Sequence, residues 1–210
     1  KGVTEQKKNL VFKRRYWLYY ALTFMSGARR QIFVVFAAFL MVEKFNYSVS
    51  DIAILFIINH TFNWLFASKI GQLVGKFGER KALTFEYCGL FLVFYAYAYV
   101  ENAMLAGALY VVDHLFFSLA IAIKTYFQKI AEPSDIASTA GVAFTINHIA
   151  AVFIPFSFGR VWLISPKFVF LMGAFMSLIS LILARNIQNN PKFGNEVIWD
   201  FINRSNFKRL

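Results

Sequence analysis

Residues 16–42 read YWLYYALTFMSGARRQIFVVFAAFLMV, and this stretch decides the fold. A helix that crosses hydrocarbon needs about 20 mainly apolar residues, and the stretch exceeds that. Its middle carries Arg29 and Arg30. A charge in hydrocarbon is costly and survives where it faces a cavity or a partner. The same reading gives five further spans, at 52–75, 82–100, 103–127, 138–163 and 168–185. The connections between them are short and polar, with no room for an extra soluble domain. Ionisable residues inside the spans sit almost only on the first, second, fourth and fifth. The expected fold class is therefore an all-α, polytopic membrane helical bundle of six transmembrane helices with a polar interior.

Composition agrees. Hydrophobic residues make up 59% of the 210-residue chain and charged ones 16%, against roughly half and a quarter in soluble domains. Residues 1–15 are basic and too polar to supply the apolar core of a cleavable signal peptide. The first residue is Lys1, so the expectation is a fragment or a trimmed chain. Cys88 is the single cysteine, which excludes an internal disulfide and a cysteine-based zinc site.

The formal net charge of +11 raises the question of nucleic acid. The basic residues alternate across the membrane instead. Sixteen of the 22 Lys and Arg fall on one side, against Lys44, Arg160 and Lys167 on the other. Positive-inside bias then places both termini in the cytoplasm. Because these cations are scattered over separate loops and tails, no nucleic-acid partner is expected. The expected location is a bacterial inner (plasma) membrane, as an integral multi-pass protein.

The chain also repeats itself. Ser50-Asp51-Ile52-Ala53 opens the second span and Ser134-Asp135-Ile136-Ala137 opens the fifth, 84 residues later. Ile58-Asn59-His60 recurs as Ile146-Asn147-His148, and Gly71 as Gly159, both 88 residues later. The change from 84 to 88 is about one helical turn, which keeps the matches on nearly one face. Carried back, the offset of 84 aligns Arg29 with Asp113 and Arg30 with His114. Spans one to three then match four to six with opposite orientation. Such an inverted three-plus-three repeat marks secondary transporters, whose sites lie near the midplane between repeats.

Between the second and third spans the chain reads Gly71-Gln72-Leu73-Val74-Gly75-Lys76-Phe77-Gly78-Glu79-Arg80-Lys81. This resembles the signature loop of the major facilitator superfamily, roughly G-x-L-x-D-R-x-G-R-R/K. Gly71, Leu73, Lys76, Gly78 and Arg80 fit. Gly75 stands where the family has Asp, and Glu79 replaces a basic residue, so the latch made by that Asp is in doubt here. The stretch Gly141–Gly159, with Asn147-His148 and Pro155, is similar to the family's penultimate helix. The resemblance covers roughly residues 10–185 and implies the C-terminal six-helix half of such a transporter. It implies a partner in an N-terminal six-helix half, and a domain order of 1–15 cytoplasmic basic linker, 16–185 transmembrane half and 186–210 cytoplasmic tail. It also implies that the third and sixth helices face lipid while the other four line a cavity.

Arg29 and Arg30 point about 100° apart on a helix. One can face the cavity, as an anion site or a switching charge, while the other pairs with a neighbouring helix. The alternative is a buried ion pair with Asp113 that only fixes packing. Asp113 and His114 are candidates for proton coupling, since His titrates near neutral pH and a carboxylate responds to burial and to a nearby Arg. His60 and Asn63 share a face of the second span. Together with Asn147 and His148 they are candidate substrate contacts, or else interhelical hydrogen-bond glue. Glu86 is expected near the cytoplasmic end, paired with Lys81 or Arg80. Gly71, Gly75, Lys76, Gly78 and Arg80 form the candidate gating loop. No two histidines have the i, i+3 or i, i+4 spacing that favours a metal site, so neither metal nor cofactor is expected. Pro155 should bend the fifth span. Beyond it, 189–210 reads as a short helix on the membrane surface or as a disordered tail.

The expected function is secondary active transport of a small solute by alternating access, as symport or antiport, with proton coupling and anion selectivity as finer expectations. A non-transporting membrane interaction or sensor module is the alternative. An intramembrane enzyme would need histidines converging within coordination distance, and no enzyme activity is expected.

Overall fold

The computed structural model describes residues 12–199. Six long helices follow one another: α1 (Arg14–Phe45), α2 (Val49–Phe77), α3 (Glu79–Ala98), α4 (Ala103–Ile130), α5 (Pro133–Ile164) and α6 (Pro166–Arg185). Five of them are long and apolar enough to cross a membrane. The exception is α3, where Lys81, Glu86 and several tyrosines lower the hydropathy of an otherwise apolar helix. The chain is an integral, multi-pass membrane protein built of helices.

Local sequence explains several of the helix ends. The Ser48 hydroxyl accepts the Asp51 N–H at 3.2 Å, and the Asp51 carboxylate accepts the Ser48 N–H at 2.8 Å. This capping box starts α2. Asn102 starts α4 by accepting the Leu105 N–H at 3.0 Å. Pro166 occupies the first turn of α6, where its missing N–H costs nothing. Asn46 ends α1 in the left-handed region at φ 55.

The connection between α2 and α3 is shorter than the sequence suggests. Both helices run up to Gly78, which makes the whole turn at φ +85. Glycine reaches that φ without a Cβ clash. Gly71, Gly75 and Lys76 therefore lie on the last turns of α2, and of the candidate loop only Gly78 is non-helical.

Two helices are interrupted along their length. A π segment, Ile32–Ala37, interrupts α1 directly after Arg29-Arg30-Gln31. A 3-10 turn, Ser118–Ala120, interrupts α4. Pro155 lies inside α5 without ending it.

Helices α3 and α6 pack closely. A Cβ on Gly173 would stand 2.5 Å from the Phe94 ring, and Ser177, Ser180 and Ala184 continue the buried small face of α6. Small residues let helix backbones approach in lipid, where no hydrophobic force drives helices together. Above them, Phe33 of α1 packs against Phe94, Tyr97 and Tyr110 with ring centroids 5.3–5.9 Å apart. By contrast, only 6% of the apolar window of α2 is buried, against 61% for α1. Helix α5 is likewise sparsely covered.

The end of the bundle that carries Lys13 is tied by charge. Lys13 Nζ lies 2.9 Å from Glu132 and 2.6 Å from Asp135, and the Tyr16 hydroxyl donates to Asp135 at 2.9 Å. Burial works against the Lys13 charge, but these carboxylates outweigh it and raise the ammonium above its usual pKa.

The segment after α6 corrects the sequence reading. It is an antiparallel hairpin, β1 (Ile187–Lys192) and β2 (Asn195–Val197), rather than a helix or a disordered tail. Pro191 removes a helical donor and Gly194 turns the chain at φ +82. Arg15 pairs with Glu196 and lays its guanidinium 3.8 Å from the Phe193 ring, and the Tyr126 hydroxyl donates to the Glu196 carbonyl at 3.2 Å. Residues 200–210 of the expected surface helix, and 1–11 of the basic leader, lie outside the described residues.

Candidate functional site

Helices α1, α2, α4 and α5 line a cavity of about 670 Å³, and α3 and α6 contribute nothing to it. Arg30 and Gln31 come from α1, His60 and Asn63 from α2, Asp113, His114 and Lys124 from α4, and Asn147 and His148 from α5. Phe33, Phe56 and Phe117 supply its apolar wall. A smaller cavity of about 360 Å³ adjoins it and shares Arg30, Gln31, Phe117, Ile121, Lys124 and Asn147.

The two arginines separate as their spacing requires. Arg30 is exposed to the cavity, its guanidinium 5.8 Å from the Phe117 ring. Arg29 is 1% exposed and does not line the cavity. It stands 4.3 Å over the Tyr87 ring, with Nη2 4.0 Å from Glu86 Oε1. Substrate contact by Arg29 is therefore corrected to a buried ion pair behind the cavity wall.

Glu86 is also displaced from its expected place. It is fully buried and faces Arg29, not Lys81 or Arg80. Seven residues past Glu79 it lies two turns, roughly 10 Å, inside the helix. Glu79 instead meets Lys129 at 2.7 Å, and Arg80 donates to Asn189 at 2.9 Å. Asp113, 4% exposed, is close enough to feel the Arg29 charge, yet the carboxylate within 4.0 Å of Arg29 is Glu86. Isolated charges at such depth are expensive, and mutual neutralisation offsets part of that cost.

The histidines are held by their neighbours. His114 Nδ1 is 3.1 Å from the Tyr110 carbonyl, and its ring lies 5.1 Å from the Tyr110 ring. Phe56 lies between His60 and His114, with centroids 6.0 and 6.4 Å away. His148 Nδ1 is 2.9 Å from the Phe144 carbonyl. Asn147 is admitted by Gly27, where a Cβ would stand 2.5 Å from the Asn147 oxygen. All three histidine rings thus sit on one cavity, each anchored by ring stacking or a backbone bond. Among the described residues no group of three or more His, Cys, Asp and Glu is placed to hold a metal ion.

Among the cavity residues, Lys124 and Gln31 are not singled out by the sequence, and Glu86 is singled out but with other partners. Lys124 is one of the sixteen basic residues of one membrane side, although it stands three residues inside the expected end of its span, 103–127. Glu86 could have been found from its depth within the third helix.

A search of known proteins finds an uncharacterized MFS-type transporter of Methanocaldococcus jannaschii. It is 25% identical over 181 residues, covering 84% of this chain and 45% of the relative. The chain resembles a major facilitator superfamily transporter. It spans about half the length of that transporter. No family model matches the chain, and no solved structure matches it significantly.

Proposed function

We propose that this chain is one six-helix half, the C-terminal one, of a major facilitator superfamily secondary transporter. It moves a small solute by alternating access, rocking against an N-terminal half around the cavity. One observation carries this reading. Seven of the polar residues singled out in the sequence, from four different helices, line one cavity at membrane depth: Arg30, His60, Asn63, Asp113, His114, Asn147 and His148. Polar side chains in a membrane are expensive, so their convergence on one space argues for solute contact.

Arg30, His60, Asn63, Asn147 and His148 contact the solute. Asp113 and His114 carry the coupling proton, with Arg29 and Glu86 behind them. The sparsely buried faces of α2 and α5 receive the N-terminal half. Gly71, Gly75 and Gly159 support this, because open space lies where their Cβ atoms would be. Gly78 is the hinge of the gating segment, and Lys76 and Arg80 flank it. Two features favour the inverted repeat. Arg30 and His114, aligned by the offset of 84, share the cavity. The 3-10 turn Ser118–Ala120, carried back by 84, falls on residues 34–36 inside the π segment. Both termini face the cytoplasm of a bacterial inner membrane, with the basic leader and the hairpin on that side.

The test is flux in proteoliposomes of the native protein, with an imposed pH gradient, over a panel of organic anions, cations and neutral solutes. Gradient-driven uptake that is lost in Arg30→Gln while folding survives supports the carrier. Absence of flux for every solute, or Arg30→Gln transporting normally, overturns it.

A further inference from the structure

We infer that the cavity takes an organic solute with two negative charges close together, a phosphate monoester or a short dicarboxylate, gripped between Arg30 and Lys124. This rests on the solute site proposed above and names its ligand class. Lys124 enters from the geometry alone.

Arg30 and Lys124 line both adjoining cavities. Both are exposed, and among the described residues neither has a carboxylate within ion-pair distance. The neighbouring cation, Arg29, is already paired with Glu86. Asp113 touches the cavity but is only 4% exposed, against the exposed side chains of Arg30 and Lys124. The accessible charge of the cavity is therefore two cations, with neutral donors in Gln31 and Asn147 beside them.

Helix direction turns the two cations toward each other across a difference of roughly 15 Å in level. Arg30 stands 16 residues past Arg14 and Lys124 stands 6 before Ile130. At 1.5 Å per residue the levels are roughly 24 and 9 Å from the basal ends of α1 and α4. Those ends lie level, because Arg15 meets Glu132, just past the end of α4, at 3.6 Å. Side chains lean toward their own helix N-terminus. The helices are antiparallel, so Arg30 leans down and Lys124 leans up into the shared space. A planar fork from one side and a point charge from the other suit two adjacent anionic groups. The aromatic wall of Phe33, Phe56 and Phe117 receives the carbon skeleton.

The experiment is ligand binding by the purified native protein, read by thermal shift and tryptophan quenching. The probes are glycerol 3-phosphate, succinate, inorganic phosphate, butyrate and glycerol. At least one of the two dianionic organic probes is expected to bind, butyrate and glycerol weakly or not at all. Glycerol 3-phosphate against succinate separates phosphate ester from dicarboxylate, and inorganic phosphate shows what the skeleton adds. Lys124→Gln and Arg30→Gln should each weaken the dianion by roughly ten- to hundredfold, the loss of one charge-assisted contact. Lys124→Arg should restore most of it. A lysine that only sets membrane orientation would leave affinity unchanged in Lys124→Gln, and that result overturns the inference. Equal binding of butyrate and succinate also overturns it, as does binding of neither dianion by a correctly folded protein. Dianion binding without flux in any gradient overturns the carrier and leaves the site standing. Flux of a cation or a neutral solute that no dianion inhibits does the reverse.

Discussion

Arg29 and Arg30 are neighbours in sequence with opposite fates, because one helical step turns the side chain by about 100°. Arg30 meets the cavity. Arg29 meets Glu86 at 4.0 Å in the interior. Removing one partner of such a pair strands the other without compensation, which typically costs about 3–5 kcal/mol. Arg29→Leu is expected to lower stability by that order, seen as a fall in the melting temperature of the purified protein. Arg29→Leu with Glu86→Leu should recover most of the loss, since a packed apolar pair replaces the ions. If the double variant melts no higher than the single one, the pair is not what the arginine contributes. The arginines themselves were legible in the sequence as buried charges. Their separate partners were not, because Glu86 is more than 50 residues away and only helix packing brings α3 behind α1.

The π segment Ile32–Ala37 is the element whose function is open to direct test. A π segment this short is a single-turn bulge, in effect one residue inserted into an α-helix, and such bulges cluster at functional sites. Deleting Val35 should close the bulge and restore regular α geometry while both flanks keep their faces. Deleting Val93 from the regular helix α3 should instead rotate one flank by about 100° and break its packing. The expected outcome is a folded protein for the Val35 deletion and a misfolded one for the Val93 deletion, read by yield and melting. Transport should fall in the Val35 deletion if the bulge serves the moving helix. Nothing in the residues Ile32–Ala37 announces a π segment. Their apolar side chains suit an α-helix equally well. Helix starts were more legible: Ser48 and Asp51 make a capping box that depends on local sequence alone.

At the scale of the whole molecule, charge clasps one end of the bundle. Lys13, Tyr16, Glu132 and Asp135 join the start of α1 to the start of α5, while Arg15, Phe193, Tyr126 and Glu196 join α1 and α4 to the hairpin. The Lys13 ammonium has a pKa raised in the folded state, so its contribution is present at neutral pH and up to its unfolded pKa, near 10.5, and is lost as pH rises further. Lys13→Gln is expected to cost about 2 kcal/mol at neutral pH, the worth of a hydrogen bond to a charged group. Above neutral pH, the difference between variant and wild type should shrink only in strongly alkaline buffer. A difference that is already gone at pH 9 would show that the clasp does not depend on this charge. Length and apolarity of the spans, alternation of basic residues and the placement of intramembrane charges were determined by the sequence, because cost in hydrocarbon acts on each residue where it stands. The single-residue turn at Gly78, the hairpin clasp, the burial of Arg29 behind Arg30 and the inclusion of Lys124 in the cavity were decided by the tertiary structure. Each depends on which helix lies beside which, and residues far apart in the chain meet only after packing.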